Sequence, residues 1–588
     1  MGEETLLLHP HRDGSVEAVF DFSASWQPQP SDYCENGQLC HFDSTRFPRP
    51  VAELVDSYGV AELHVALTRG RWDRAAWGHS SADVMHGPNG AEVWARLPTN
   101  AVSSSAETRW AGLRAGLSAL LCASIEQLGV AHVSHPHPNT MGARLASIDG
   151  WTSSASSSEL WRGVLPRETA CVENLAAWGA LLPCRRRAGF GALLRPARLF
   201  SSEYHSFGLH VHAMRHNGSS AVTYELRQTI SVVVRHALSS HPHDYVLSLA
   251  VLLLPPLQDA APPPGGSSFN VASCPLATSS VVLTKLPSWL TGVHTPGLIE
   301  ALKLAVSFSH TPDAIVPLFS DDDGGFLIIH EVKLGAPLAL LPAPWLTVHR
   351  QPGAWHDDSR AKPFHLFGLQ QRLTWIGSGD RTRGALDVWI ANGRQQSSDV
   401  ALLVEVPDIV VPFIHTATVE WHGDGADATN WWRRPLLELG PGPLVHYSIP
   451  GADTSMSKTP LSPVGAPGLI ELNGIRLSPG RGWIRLRFEF ESRFLPMAAW
   501  PPDPFRGFDW PAAIATFTPL GNGDVAPLSS CTAFDNSDVL GQTAACAAAH
   551  RSLLVRAMCD SDRSRHVYSD GSLIQVQLLS VAHRCAHP

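Results

Sequence analysis

Trp483-Ile484-Arg485-Leu486-Arg487-Phe488-Glu489-Phe490-Glu491 alternates strictly along its length. Ile484, Leu486, Phe488 and Phe490 fall on one side of an extended chain, and Arg485, Arg487, Glu489 and Glu491 on the other. A period of two is that of a strand with one buried and one wet face. Leu63, Val65 and Leu67 alternate with Glu62, His64 and Thr68 in the same way. Working outward, Glu17–Ser23, Glu92–Leu97, Leu209–Met214, Ser231–Ala237, Leu402–Val406 and Phe413–Trp421 read as further short strands separated by turn residues. The expected fold is mainly β with a few helices, in two β-sandwich-like domains.

Helical spacing is rarer. It is clearest over 107–128, where Trp110, Leu113, Leu117, Leu121, Ile125 and Leu128 recur every three or four residues. Ser105 can cap that helix and Gly129 can end it. A shorter helix is expected from Pro50, carrying Val51, Leu54 and Val55, and a third from Thr295-Pro296. Pro255–Ser268 is rich in Pro, Gly and Ser and reads as a linker. It divides the chain into a first domain (1–254) with the long helix, a linker (255–269), a second sandwich-like domain (270–520) and a weakly patterned segment (521–588).

Composition narrows the function. The 588 residues are 44% hydrophobic and 16% charged, which excludes a disordered chain. A net charge of −9 argues against a nucleic-acid partner, which would call for a basic excess. Lysine stands only at 285, 303, 333, 362 and 458, so arginine carries the other positive charges, as a GC-rich coding sequence produces without any phosphate binding. The ten cysteines include no CxxC pair, against a zinc ribbon or redox motif, and their dispersal suits an oxidising compartment. Met1-Gly2-Glu3-Glu4 lacks the basic start of a signal peptide. The longest apolar run, Val246–Leu254, stops at Pro255-Pro256, about half the roughly 20 residues of a membrane helix.

Four His-x-His pairs stand out: His9/His11, His135/His137, His210/His212 and His241/His243. On a strand such a pair shares one face and could offer two imidazoles to a metal. Three of the four are His-Pro-His, however, and read as loops in a His-rich chain. No metal site and no cofactor is expected. Nucleophile elbows, zincin helices, phosphate loops and dinucleotide fingerprints are absent from the sequence, so no catalytic residue is assigned. Asn217-Gly218-Ser219 is an N-glycosylation sequon. On the residues alone, two classes stay open: a secreted metal-dependent hydrolase using the His-x-His pairs, and a stand-alone luminal β-sandwich binding module.

One stretch carries a resemblance. Leu165-Pro166-Arg167-Glu168-Thr169-Ala170-Cys171-Val172-Glu173-Asn174-Leu175, followed by Trp178 and Leu181-Leu182-Pro183-Cys184, resembles a block of the PIG-T family of glycosylphosphatidylinositol (GPI) transamidase subunits. The likeness continues in order through Phe47-Pro48 to Trp77-Gly78, Gly90-Ala91-Glu92, Leu121-Cys122-Ala123-Ser124, Arg198-Leu199-Phe200 with Tyr204-His205-Ser206, and Glu225–Thr229. Further on it includes Cys274-Pro275-Leu276, then Arg506-Gly507-Phe508-Asp509, and a last echo at Ser569-Asp570-Gly571-Ser572.

The resemblance implies a non-catalytic subunit of the GPI transamidase complex, on the luminal side of the endoplasmic reticulum membrane. Its partners would be a caspase-like catalytic subunit and the other transamidase subunits, with GPI lipid and proprotein met indirectly. By family position, Cys171 would form the disulfide to the catalytic subunit. The competing reading is an internal Cys171–Cys184 bridge closing a short loop. Cys122, beside Leu121 and Ile125, is expected as a free core thiol.

Overall fold

Strands form where side chains alternate. In the computed structural model Trp483–Glu491 lies within the strand Trp483–Ser492, and burial along it alternates residue by residue. Glu17–Ser23 lies within Ser15–Trp26, Glu92–Leu97 within Gly90–Pro98, Leu402–Val406 within Ser398–Val406 and Phe413–Trp421 within Val410–His422. The structure describes residues 3–35, 47–78, 87–98, 105–129, 132–136, 158–182, 189–194, 196–215, 222–235, 244–247, 280–291, 305–308, 311–318, 325–332, 345–349, 367–376, 382–393, 397–422, 431–439, 445–448, 467–479, 482–493, 508–519, 565–568 and 572–574, with positions 39, 40, 42, 44 and 302. Cys184, Asn217, the helix expected at Thr295-Pro296 and the 255–269 segment lie outside them.

Among the described residues, eleven strands form one wide sheet. Their spatial order is Ala314–Leu318, Gly325–Val332, Ser280–Pro287, Glu3–Pro10, Ser15–Trp26, Val222–Arg235, Tyr204–Arg215, Glu62–Arg69, Gly90–Pro98, Ser158–Leu165 and Val133–Ser134. Neighbours are antiparallel except at Glu3–Pro10 and Ser280–Pro287, which run parallel. One face is apolar. Leu6, Leu8, Phe20, Phe22, Leu63, Val65, Leu209 and Val211 project from it into a core with the helices Arg49–Ser57, Ala106–Leu121 and Val172–Ala180. The three-stranded sheet of Asp244–Leu247, Val306–Phe308 and Leu346–His349 packs into the same core. The first core is therefore a sheet backed by a mixed layer, a sandwich only where the small sheet lies.

The second core is a sandwich. Two five-stranded sheets, one centred on Trp483–Ser492 and one on Ser398–Val406, bring Leu386, Val388, Leu486 and Phe488 against Val400, Leu402, Ile470 and Phe517. The 255–269 segment divides the sequence differently from the sheets, because Ser280–Pro287, Ala314–Leu318 and Gly325–Val332 extend the first sheet. Pro and Gly mark a break in regular structure. They do not say which sheet the next strand joins.

The long helix is shorter than its apolar period. It runs Ala106–Leu121, capped by the Ser105 hydroxyl, which accepts from the Thr108 N–H. Cys122 takes the left-handed conformation at φ 51, ending the helix. The chain resumes as a 3-10 turn, Ser124–Gln127, that still delivers Ile125 and Leu128 to the core. Hence the stripe continues while the helix does not. Cys122 corrects a second expectation: having left the helical stripe it is exposed, although it is a free thiol.

No helix among the described residues is long and apolar enough to cross a membrane.

Candidate functional site

Cys171 stands where an extended segment turns into the helix Val172–Ala180, at its N-cap, with φ −129 and ψ 178. The Asn174 side chain reaches back, its Oδ1 accepting from the Cys171 N–H at 2.8 Å. That is the reciprocal half of a capping box and satisfies one of the donors a helix start leaves open. The same amide, 1% exposed, donates from Nδ2 to the carbonyls of Leu121 (3.0 Å) and Cys122 (2.8 Å). Those carbonyls lie at the end of Ala106–Leu121, where acceptors lack partners within the helix. One buried side chain thus joins the start of one helix to the end of another.

The residues before Cys171 are fastened in turn. Glu168 Oε1 accepts from the Ser124 N–H at 2.7 Å. Arg167 pairs at 2.5 Å with Asp509, on the short strand Phe508–Trp510 whose Trp510 packs in the second core. Asn89 Nδ2 donates to the Pro166 carbonyl at 3.2 Å, beside Gly90, which has φ +113 and where a Cβ would stand 2.3 Å from the Leu165 carbonyl oxygen. After the cysteine, the buried Trp178 indole donates to the Gly208 carbonyl at 3.0 Å. Residues 89–90, 121–124, 208 and 509, widely separated in sequence, each fasten a part of the 165–178 segment that carries this cysteine.

That thiol is unpaired and half-buried. Burial pushes its pKa up, and the neighbouring Glu173 carboxylate, which the S–H meets, pushes the same way against the opposing Asn174 contact. Cys171 is accordingly held protonated, a poor nucleophile but a durable partner once joined to another sulfur. Cys171 is a free thiol, and Cys184, its alternative partner, lies outside the described residues. A bridge that sequence reasoning left unassigned joins Cys34 to Cys40.

The sheet face away from the helices holds buried polar groups. His64 and His210 are a cross-strand pair with Nδ1 atoms 3.0 Å apart, and Glu62 lies opposite His212. Glu62 is held by His64 Nε2 and Arg96 Nε, each at 2.9 Å. Burial by itself would raise its pKa, but the His64 hydrogen bond and the His64, His212 and Arg96 charges outweigh it and bring it down to about 2. His9 and His11 lie elsewhere on the same sheet, close to Glu17. Of the other His-x-His pairs only His135 is described, with its ring edge-on to Trp161. Toward Val133–Ser134 this face meets the second sandwich. There Arg162 pairs with Glu92 (2.7 Å) and Glu405 (2.5 Å), and Trp94 and Leu160 pack on Ala401, Leu403, Leu469 and Ile514.

Sequence reasoning singles out Cys171 but not Asn174, which mounts it. The available signal was an amide three residues after a helix start, in a position that favours Glu or Gln when Ser or Thr caps.

Comparison with known proteins finds similarity to one family over part of the chain. Residues 3–250 match the family model described as Gpi16 subunit, GPI transamidase component. The GPI-anchor transamidase component PIGT of Mus musculus is 32% identical over 231 residues, 39% of this chain and 37% of that protein. The GPI transamidase component PIG-T homolog of Schizosaccharomyces pombe is 32% identical over 208 residues, 35% of each. The GPI transamidase component GPI16 of Saccharomyces cerevisiae is 28% identical over 236 residues, 39% of this chain and 38% of that protein. The matched region spans little more than a third of the length of these relatives. Among solved structures, the collagen binding domain of Erysipelothrix rhusiopathiae surface protein RspB aligns at 8% identity with a TM-score of 0.15, over 50% of this chain and 83% of that one. A score so low carries no argument.

Proposed function

We propose, from the match of residues 3–250 to the family model described as Gpi16 subunit, GPI transamidase component, that the chain is a non-catalytic subunit of the GPI transamidase. It stabilises the complex on the luminal side of the endoplasmic reticulum membrane and helps present proprotein and GPI to a caspase-like catalytic subunit. The observation that carries this reading is the mounting of Cys171. A free, half-exposed thiol sits on a segment fixed by Arg167, Glu168 and Asn174, within the family-matched region. A rigidly placed sulfur suits a disulfide to another subunit. Such a bond replaces a bimolecular encounter with a local one and fixes relative placement. Burial and the carboxylate beside the thiol push its pKa up instead of activating it, which fits a structural bond better than catalysis. The Cys34–Cys40 bridge supports an oxidising compartment.

The test is a pull-down of the full-length gene product from microsomes, with wild type and Cys171→Ser run on reducing and non-reducing gels. A reducible adduct with a caspase-like subunit is expected for wild type and not for the variant. An adduct surviving in Cys171→Ser would move the bond elsewhere. Absence of every transamidase subunit from the wild-type pull-down would remove the proposal.

A further inference from the structure

His9, His11 and Glu17 converge at the tip of the first hairpin. Glu3–Pro10 and Ser15–Trp26 pair antiparallel with His9 directly opposite Glu17. The turn between them is tightly held. The His11 N–H donates to the Ser15 carbonyl (2.8 Å), the Gly14 N–H to the His11 carbonyl (3.1 Å), and Asp13 Oδ1 accepts from the Ser15 N–H (2.9 Å). His11, two residues past His9, brings its ring to a centroid distance of 4.8 Å from the His9 ring. All three side chains are buried, at 8%, 4% and 0% exposure.

The spacing is that of a coordination site. One donor atom from each residue lies within 4.8 Å of the others, and His9 Nδ1 stands 3.5 Å from Glu17 Oε2. Tetrahedral zinc, with bonds of about 2.0–2.1 Å, sets neighbouring donors about 3.3 Å apart. The His9–Glu17 pair is close to that separation already. A second observation points to a missing partner: His11 Nε2 is buried with no hydrogen-bond partner among the described residues. Burying a polar nitrogen without a partner is costly unless something fills its lone pair.

We propose that this hairpin tip binds a divalent transition metal of the zinc class through His9, His11 and Glu17. Two imidazoles and a carboxylate suit zinc, while magnesium and calcium prefer all-oxygen sets. The surroundings form a supporting shell: His11 meets Trp72 and Trp77, and the Trp77 indole donates to Asp13 Oδ2 at 3.0 Å. The ion would tie the first two strands to that aromatic cover.

The second His–Glu group does not compete. Glu62, His64 and His212 are as close together, but His64 engages both ring nitrogens, with Glu62 and His210, and the Arg96 guanidinium already supplies a cation to Glu62.

The purified full chain, stripped with a chelator and dialysed against zinc and then metal-free buffer, should retain about one equivalent of tightly held metal. Cobalt in its place should give the strong visible bands of a four-coordinate ion. Glu17→Gln and His11→Ala, with folding checked by circular dichroism, should weaken zinc binding at least about tenfold, whereas His212→Ala should leave it unchanged. Zinc should raise the melting temperature of wild type but not of Glu17→Gln. If wild type retains no zinc and shows no four-coordinate cobalt spectrum, the proposal is wrong whatever the variants do. Retention lost in His212→Ala and kept in His11→Ala would assign the metal to the other cluster.

Discussion

At the scale of the residue, the chemistry open to Cys171 is set by neighbours of opposite effect. Burial raises the thiol pKa, the Glu173 carboxylate adds to that, and the Asn174 contact opposes both. Only the thiolate attacks a sulfur or an alkylating reagent, so a raised pKa lowers reactivity at neutral pH and delays its rise with pH. Replacing Glu173 by Gln removes the local negative charge and a hydrogen bond that favours the protonated form. Glu173→Gln should therefore shift the alkylation profile of Cys171 to lower pH and speed alkylation at pH 7 roughly two- to tenfold. Mass spectrometry of the peptide containing residue 171 can follow the rate. An unchanged profile, or a shift to higher pH, would show that Glu173 does not act on the thiol. Residue 171 stands out in the sequence because its neighbours form a recognisable block. Glu17 does not, since nothing adjacent to it in the chain marks it as facing His9 until the register of the hairpin is known. The Asp13-Gly14 pair between the two strands is the turn signal that bears on that register.

At the scale of the element, the helix ends matter more than the helices. A strand with one face buried has its register enforced by alternation, so the strands were largely legible in the sequence. Helix termination depends on one backbone conformation, and the apolar stripe of Ile125 and Leu128 passes straight across the left-handed Cys122. Asn174 completes what both ends lack. Asn174→Ala removes one cap acceptor, worth about 1 kcal/mol, and leaves the Leu121 and Cys122 carbonyls short of a donor in a buried setting. The expected loss is about 2–3 kcal/mol, or roughly 5–10 °C in the melting transition of the first sheet. Asn174→Asp keeps the acceptor but loses the Nδ2 donor, and should cost less than Ala at the cap while still exposing the two carbonyls. The Cys171 adduct should fall in yield with either variant. A melting transition within a degree of wild type for Asn174→Ala would sink the account of the mount.

At the scale of the molecule, the two cores meet through charge as well as apolar contact. Glu92 and Glu405 fall on strands expected from the sequence, and a polar position on an alternating strand ordinarily faces water. Here a second sandwich covers that face, and no local pattern announces a cover contributed by residues hundreds of positions away. The same reason explains why 280–332 was placed with the second half: its pairing with Glu3–Pro10 is long-range and parallel. Arg162 is 0% exposed and pairs with Glu92 and Glu405 at once. Removing it would leave two buried carboxylates without their shared cation, a change of about 3–5 kcal/mol. Arg162→Met should therefore destabilise the chain severely and separate the two halves in calorimetry into distinct transitions. The triple change Arg162→Met, Glu92→Gln, Glu405→Gln should recover most of the loss, because the penalty lies in the unpaired charges and not in the absence of a bridge. Arg167→Met provides the contrast: its pair with Asp509 is partly exposed and should cost no more than about 1 kcal/mol. If Arg162→Met and Arg167→Met proved equally mild, the join between sheet and sandwich would have to rest on the Trp94, Leu160, Leu403 and Ile514 contacts alone.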